Sequence, residues 1–303
     1  MSTTPQPSIN RYRYKSISPS IKYLIRRYLL CPTFQIISYL TFLLSYLPWF
    51  ANRTLQKPIF IIGCSRSGTT LFGDMFAQHE ALADWSEAGF LFEPNYYARR
   101  IDHVKTANDC TEFHRRRLRT ILGIYIWFRG KQRYVNHHPQ NSLRIPFLKQ
   151  IFPDAIFIHI IRDGRAVVRS NYGQFTHERF RQNEPYGYFP KPPMWSTYES
   201  LSLELQLSHQ WVGILEHVET ISAQTLCEES YIEIYYEEFC ANPHATLREL
   251  DCHLGLSSEE RHFDRIPKKF DLQNFKWKTD FSQKQLVDIS SIIETLLTKH
   301  GYV

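Results

Sequence analysis

The sequence lacks the cysteine spacings that mark disulfide-stabilised folds and zinc sites. Its six cysteines are scattered through 303 residues, with no close pair and no CxxC motif. The spacing from Cys240 to Cys252 and His253 fits no common metal-binding pattern. We therefore expect no disulfide framework and no metal site, and we expect a reducing compartment, the cytoplasm, as the location.

Internal repeats, linkers and the RNP, KH or zinc motifs of RNA-binding modules are also missing. These absences exclude a repeat protein and give no reason to divide the chain into several domains. We therefore expect no nucleic-acid partner. What the chain does have is the composition of a folded protein, with 43% apolar and 22% charged residues. A net charge of +6 favours an anionic ligand or surface without naming one.

Only one long uncharged run is present, the 23 residues of 28–50, and no small-x-small cleavage site follows it. The run could span a bilayer, and more basic residues precede it than follow it, as in a span with a cytoplasmic N-terminus. Pro58, however, opens the first core strand eight positions after Phe50, which leaves no stem. We predict a disordered polar tail over 1–21 and a hydrophobic helix over 22–53, membrane-associated or docked on the domain; a single span is the alternative.

Beyond Pro58, short apolar strands alternate with helical segments. This alternation predicts an α/β fold, a P-loop-type parallel sheet with helices on both faces, in a single domain over 58–303. The predicted strands are 59–62, 155–161 and 231–235, and the predicted helices are 69–79, 96–128, 142–151, one reaching Ser170, 201–222, 245–254 and 281–299.

The segment "GCSRSGTT", residues 63–70, joins the first strand to a helix. Its two glycines and small residues let backbone N–H groups converge at a helix N-terminus, which makes a cradle for an anion. The lysine that nucleoside triphosphatases place after the second glycine is missing. Thr69 stands there instead, and the positive charge comes from Arg66. The loop therefore suits a shorter anion without a metal ion.

A second segment, "IRDGRAVVRS", begins where the second strand ends. Arg162 at the carboxyl end of this strand and Ser170 two turns later offer another phosphate site. Open α/β sheets bind their ligands beyond the carboxyl ends of the strands. Two anion sites at this edge predict a nucleotide with phosphate groups at both ends of its ribose.

In these residues the chain resembles the PAPS-dependent sulfotransferases, whose donor is 3′-phosphoadenylyl sulfate. "GCSRSGTTL" is similar to their 5′-phosphosulfate loop, and "FIHIIRDGRAVVRS" is similar to their 3′-phosphate motif. The likeness extends over about 58–303 and is nearest to the bacterial-type and tyrosylprotein branch. It implies transfer of a sulfuryl group from PAPS to a hydroxyl or amine acceptor, with no metal.

The resemblance also implies which residues would bind the donor. The 5′-phosphosulfate would be bound by Arg66 and by the amides of Ser67, Gly68, Thr69 and Thr70. The 3′-phosphate would be bound by Arg162 and Ser170. Tyr236 and Lys276 would lie near the nucleotide.

Three residues would carry the chemistry. Glu87 in "DWSEAGF" would be the general base, with Glu80 and Glu93 as competitors, and Arg66 would stabilise charge on the departing phosphate. His137 stands where relatives have a lysine beside the transferring group. It would serve as hydrogen-bond donor or acid, or the protein would be less active or inactive.

Two other functions stay open at this point. A P-loop kinase would need magnesium and the missing lysine. A membrane-associated protein that binds PAP or PAPS with little or no catalysis is compatible with His137. The aromatic segment 172–198 would either cover the acceptor or pack on the surface of the domain. It does not indicate the chemical class of the acceptor.

Overall fold

A five-stranded parallel sheet forms the centre of this computed structural model, which describes residues 31–51, 55–85, 88–92, 102–175, 190–257, 260–272 and 274–303. The strands are β1 (Ile59–Ile62), β2 (Leu82–Asp84), β3 (Arg133–Asn136), β4 (Ile156–Ile161) and β5 (Tyr231–Tyr235). Their order in the sheet is β2-β3-β1-β4-β5, and all four pairs are parallel. Because β1 and β4 are neighbours, their carboxyl ends lie side by side.

Hydrophobic clusters pack on both faces of the sheet. Phe60 and Ile62 belong to one cluster, whereas Ile59 and Ile61 belong to the other, because successive side chains of a strand point to opposite faces. Burial on both faces is typical of parallel sheets covered by helices, and it confirms the predicted α/β fold.

The helices are α1 (Cys31–Leu44), α2 (Pro48–Ala51), α3 (Thr69–Phe76), α4 (Gly89–Phe92), α5 (Glu112–Arg129), α6 (Ile145–Ile151), α7 (Gly164–Phe175), α8 (Leu203–Thr225), α9 (Tyr236–Ala241), α10 (Pro243–Leu254), α11 (Glu260–Phe263), α12 (Trp277–Asp280) and α13 (Gln283–Lys299).

Strands β2 and β3 are absent from the sequence prediction, which had three strands. They contain only three and four residues, and several of these are polar. Arg133 opens β3 and is nevertheless buried, because its guanidinium donates to the carbonyl oxygens of Lys57 (2.9 Å) and Leu254 (3.0 Å). Short strands with buried polar side chains give no alternating or apolar signal.

The predicted helix over 96–128 is wrong at its start. Helix α5 begins at Glu112, where Thr111 caps it by accepting a hydrogen bond from the His114 amide. The preceding described residues form only one 3₁₀ turn, Ala107–Asp109. Residues 96–101 lie outside the described residues. The other predicted helices recur with ends shifted by a few residues.

Helix α1 lies along α5 at the N-terminal end of the described chain. Arg117 of α5 donates hydrogen bonds to Ser38 Oγ (3.2 Å) and to the carbonyl oxygen of Leu91. The helix ends before Pro48, which has no N–H to continue it. The predicted segment 22–53 is therefore not one continuous helix, and its two ends lie outside the described residues. Among the helices that the structure describes, none is both long and apolar enough to cross a bilayer.

Candidate active site

The loop between β1 and α3 has the backbone of an anion cradle. Gly63 (φ 149°) and Gly68 (φ 99°) both adopt left-handed conformations that favour glycine. A Cβ on Gly63 would lie 2.6 Å from the Ile160 carbonyl oxygen, so β4 passes directly against the loop. Ser142 fixes the loop from the other side, since its hydroxyl accepts from the Gly63 amide (2.8 Å) and donates to the Gly63 carbonyl (2.9 Å).

The interior of the loop holds an unsatisfied hydroxyl. Ser67 is fully buried, and its Oγ has no hydrogen-bond partner in the described part of the chain. Thr69 begins α3, whose first-turn N–H groups have no acceptor within the helix. A bound phosphate or sulfate group would accept a hydrogen bond from this buried hydroxyl and lie at the positive N-terminal end of the helix. Cys64 adds no charge there, because burial raises the pKa of its thiol.

Arg162 lies at the carboxyl end of β4, next to the loop. Its side chain is nearly buried, and Nη1 donates to the Arg66 carbonyl oxygen at 2.9 Å. Nε and Nη2 both donate to Asn274 Oδ1, at 3.0 and 2.8 Å. The guanidinium lies 4.2 Å from the ring centre of Tyr236, which also touches Gly68. Burial raises the pKa of the Tyr236 hydroxyl to about 12, so the ring stays neutral under Arg162.

Helix α7 brings Ser170 onto the same loop. Arg66, with a positive φ of 71°, donates from Nε to Ser170 Oγ at 3.2 Å. The next residue, Asn171, donates from Nδ2 to the Ser65 carbonyl oxygen at 3.2 Å. The two segments singled out from the sequence are therefore in direct contact. All the residues expected to bind the donor meet here except Lys276, which is exposed and follows Asn274 by two positions.

His137 lies behind α3 and is 1% exposed. Its Nδ1 is 3.6 Å from Asp84 Oδ1 at the end of β2, and its ring packs on Gly73. Asp74 of α3 is the third polar neighbour; although the residue is exposed, partial burial of its carboxyl group raises the pKa of that group. Burial also holds the pKa of the adjacent His138 well below its usual value, so that imidazole is neutral.

Glu87, the expected general base, lies outside the described residues. The residues on either side of it are placed: Trp85 stacks on Tyr125 with ring centroids 4.5 Å apart, and Gly89 packs against His138. The chain therefore enters and leaves this short segment at the carboxyl edge of the sheet. Its competitor Glu80 precedes β2 and so belongs to the opposite edge. The other competitor, Glu93, lies outside the described residues.

Comparison with known proteins identifies the family. A family model described as "Sulfotransferase family" matches residues 58–260, more than half of the chain. The chain belongs to the sulfotransferase family. It is 25% identical over 216 residues to omega-hydroxy-beta-dihydromenaquinone-9 sulfotransferase Stf3 of Mycobacterium tuberculosis, a match that covers 69% of this chain and 51% of that protein. It is 23% identical over 283 residues to protein-tyrosine sulfotransferase A of Caenorhabditis elegans, covering 83% and 68%.

The chain spans about half the length of the mycobacterial relative it matches. Solved structures agree on the fold. Sulfotransferase STF1 of Mycobacterium tuberculosis superposes with a TM-score of 0.58 at 12% identity, covering 94% of this chain and 86% of that one. A sulfotransferase domain from the curacin biosynthetic pathway gives 0.55 at 15% identity, covering 80% and 98%.

Sequence reasoning missed two polar residues that hold Arg162 in place. Asn274 receives two hydrogen bonds from Arg162 and donates from Nδ2 to Glu237 Oε1. Glu237 also accepts from the Asp163 amide (3.2 Å) and from the Tyr302 hydroxyl (2.8 Å). No spacing rule marks them; the only signal was that each lies one or two positions from a predicted nucleotide neighbour.

Proposed function

We propose that this protein transfers a sulfuryl group from PAPS to an acceptor hydroxyl. The observation that carries the proposal is the contact between the loop at the end of β1 and the Arg162–Ser170 segment at the end of β4. At this contact lie two guanidinium groups, the buried unpaired hydroxyl of Ser67 and a helix N-terminus. These groups would bind the negatively charged groups at two points of one nucleotide.

The residues fit this donor without a metal ion in the phosphate loop. The amides of Ser67, Gly68, Thr69 and Thr70 with Arg66 would bind the 5′-phosphosulfate, and Arg162 with Ser170 would bind the 3′-phosphate. Tyr236 would lie beside the nucleotide, and Lys276 would reach it from the exposed segment after Asn274. The donor supplies the sulfuryl group and leaves as PAP.

In the transfer itself, the acceptor oxygen forms a bond to sulfur as the bond from sulfur to the phosphate oxygen breaks. Glu87 would accept the proton of the acceptor hydroxyl, and Arg66 would stabilise the negative charge that develops on the leaving phosphate. His137 would donate a hydrogen bond or a proton near the transferring group. The names of the relatives support a hydroxyl acceptor, because dihydromenaquinone carries one at its omega position and protein tyrosine carries one on its ring.

A thermal-shift measurement separates this function from its competitors. PAP should raise the melting temperature without magnesium, and ATP with magnesium should not. The reverse pattern would favour a P-loop kinase. Incubation of ³⁵S-labelled PAPS with an extract of the cell that makes the protein should then give a sulfated product. Binding of PAP without any labelled product would indicate a non-catalytic binding protein, and full transfer by Glu87→Gln would exclude Glu87 as the base.

We also infer that the N-terminal helices bind a membrane surface and that the acceptor is held in that membrane. An exposed apolar surface supports this, and we refer to it as the aromatic surface. Its members come from α1, α2 and the segments around them, and from the C-terminal end of α5: Ile36, Tyr39, Leu40, Leu43, Tyr46, Leu47, Trp49, Trp127 and Phe128.

The aromatic surface has the composition of an interfacial anchor. Trp49 and Trp127 pack with ring centroids 5.4 Å apart, and Arg116 lies over the Tyr46 ring at 4.5 Å. Aromatic side chains flanked by basic residues are typical of proteins that lie on anionic membranes. Arg117 bonds both to Ser38 of α1 and to the carbonyl oxygen of Leu91, so α1 is connected to the chain four positions after Glu87. The menaquinone derivative in the name of the mycobacterial relative is consistent with a lipid-soluble acceptor.

A further inference from the structure

Asp74, Asp84 and His137 converge from three different elements behind the phosphate loop. Asp74 lies on α3, Asp84 ends β2 and His137 follows β3. One atom of each side chain, a carboxylate oxygen or an imidazole nitrogen, lies within 4.8 Å of the other two. No other set of three histidine, cysteine, aspartate or glutamate side chains in the described ranges is arranged in this way.

The surroundings of His137 Nδ1 indicate a ligand at this atom. The side chain is 1% exposed, and Nδ1 is buried without a hydrogen bond to any described residue. Its nearest carboxylate oxygen, Asp84 Oδ1, is 3.6 Å away, beyond the range of about 2.7–3.2 Å for an N–H···O hydrogen bond. A Cβ on Gly73 would lie 2.6 Å from the imidazole, so the ring is pressed against α3 and held where it is.

This separation suits two ligands of one metal ion better than a hydrogen-bonded pair. With metal–ligand distances of about 2.1 Å, the ligands of a tetrahedral site lie about 3.4 Å apart. Asp74 is exposed, so its carboxylate is free to rotate toward the other two. One imidazole nitrogen with two carboxylates matches first-row divalent ions such as Zn²⁺ or Mn²⁺, whereas Ca²⁺ and Mg²⁺ prefer oxygen ligands alone.

We propose that Asp74, Asp84 and His137 form a binding site for a first-row divalent cation, with at least one coordination position left for water or another ligand. The site goes beyond the proposed sulfuryl transfer: the two proposals share His137, but the metal site uses its Nδ1 and needs no PAPS. It also departs from the expectation of no metal. The three residues are 10 and 53 positions apart along the chain, and this spacing matches no metal-binding motif, so the site could not be predicted from the sequence.

Direct titration of the full chain tests the site. After chelator treatment and dialysis, calorimetry with Zn²⁺ should show one saturable ion per chain, and Co²⁺ should give visible absorption bands of a bound ion. Asp84→Asn and His137→Gln should each weaken Zn²⁺ binding at least ten-fold, and Asp74→Asn should weaken it several-fold. Glu80→Gln, an exposed carboxylate on the opposite edge of the sheet, is the matched control and should bind as the unmodified chain does.

Two outcomes would overturn the site: no saturable binding of Zn²⁺ or Co²⁺, or binding that survives both Asp84→Asn and His137→Gln. Asp84→Asn keeps the test clear if His137→Gln fails to fold, because Tyr125 bonds to the Asp84 backbone carbonyl, which asparagine retains. PAP binding by the same proteins is measured separately, so loss of the metal site and failure of the proposed sulfuryl transfer give different results.

Discussion

Arg66 Nε donates a hydrogen bond to Ser170 Oγ across 3.2 Å, and this contact joins the phosphate loop to the helix that follows β4. Arg162 adds a second connection through the Arg66 carbonyl oxygen, at 2.9 Å. Two positively charged side chains are thus held beside one another at the centre of the sheet edge. Such an arrangement favours a ligand with several negative charges, and each residue can be tested by its effect on that ligand.

Removal of the Arg66 side chain should weaken PAP binding strongly. Arg66→Ala loses a charge-assisted hydrogen bond to phosphate, which corresponds to about a 10- to 100-fold rise in Kd. Ser170→Ala should cost less, because a neutral hydroxyl is lost. Calorimetry with PAP measures both, and Arg115→Ala, which removes a half-buried arginine paired with Glu112 on α5, should leave the Kd unchanged. An unaltered Kd in Arg66→Ala would contradict its place in the binding site.

Asn274 should determine how well the protein recognises the 3′-phosphate. Its Oδ1 accepts two hydrogen bonds from Arg162, so Asn274→Ala leaves the guanidinium without its support. We expect a Kd for PAP about ten-fold higher and a Kd for AMP, which has no 3′-phosphate, that changes little. Equal losses for the two nucleotides would mean that Asn274 supports the whole pocket rather than Arg162.

Gly68→Ala should abolish PAP binding and lower stability. Gly68 has a φ of 99°, and an added Cβ would overlap the Tyr236 ring, which itself lies under Arg162. The control is Gly255→Ala, where φ is also positive (65°) but no atom lies within 4 Å of the added Cβ. Gly255→Ala should cost about 1 kcal/mol and keep PAP binding. Normal PAP binding by Gly68→Ala would show that the Tyr236 contact is not needed.

The sequence predicted the central part of this fold for a physical reason, whereas the donor-binding roles of its residues stay predictions. β1 is a continuous apolar run followed by glycine, and β4 is an apolar run interrupted only by His159 and followed by arginine. Such runs are specified locally. β2 and β3 could not be seen, because three or four residues with buried polar groups owe their strand state to neighbours far along the chain. Asn274 and Glu237 were missed for the same reason, since only the folded chain places Asn274 against Arg162 and Glu237 against Asn274.

Buried histidines should make the protein less stable in mild acid. Burial lowers the pKa of His159 to about 3, whereas an unfolded histidine titrates near 6.5. Below pH 6.5 the unfolded chain therefore binds more protons than the folded one, so this contribution to stability is complete above about pH 6.5 and lost as the pH falls toward 3. At pH 5 the loss for one such group is about 2 kcal/mol.

Urea unfolding at pH 7.5 and pH 5 measures this effect. His159→Gln removes the titrating group, and the difference in unfolding free energy between the two pH values should shrink by about 2 kcal/mol. His253→Gln, an exposed histidine on α10, should retain the full difference. The same pH dependence in His159→Gln and the unmodified protein would mean that other groups cause the loss.

The aromatic surface should control binding to membranes without affecting the nucleotide site. Phe128 is 80% exposed and Trp127 is 54% exposed, at the opposite end of α5 from its capped N-terminus. Replacing both with serine removes apolar area that would otherwise enter the bilayer interface, so partitioning onto vesicles containing phosphatidylglycerol should fall about ten-fold. The matched control is Val287→Ser, an exposed apolar residue of α13 outside this surface. PAP should bind all three proteins equally. Undiminished vesicle binding by the double variant would show that this end of the aromatic surface does not enter the membrane.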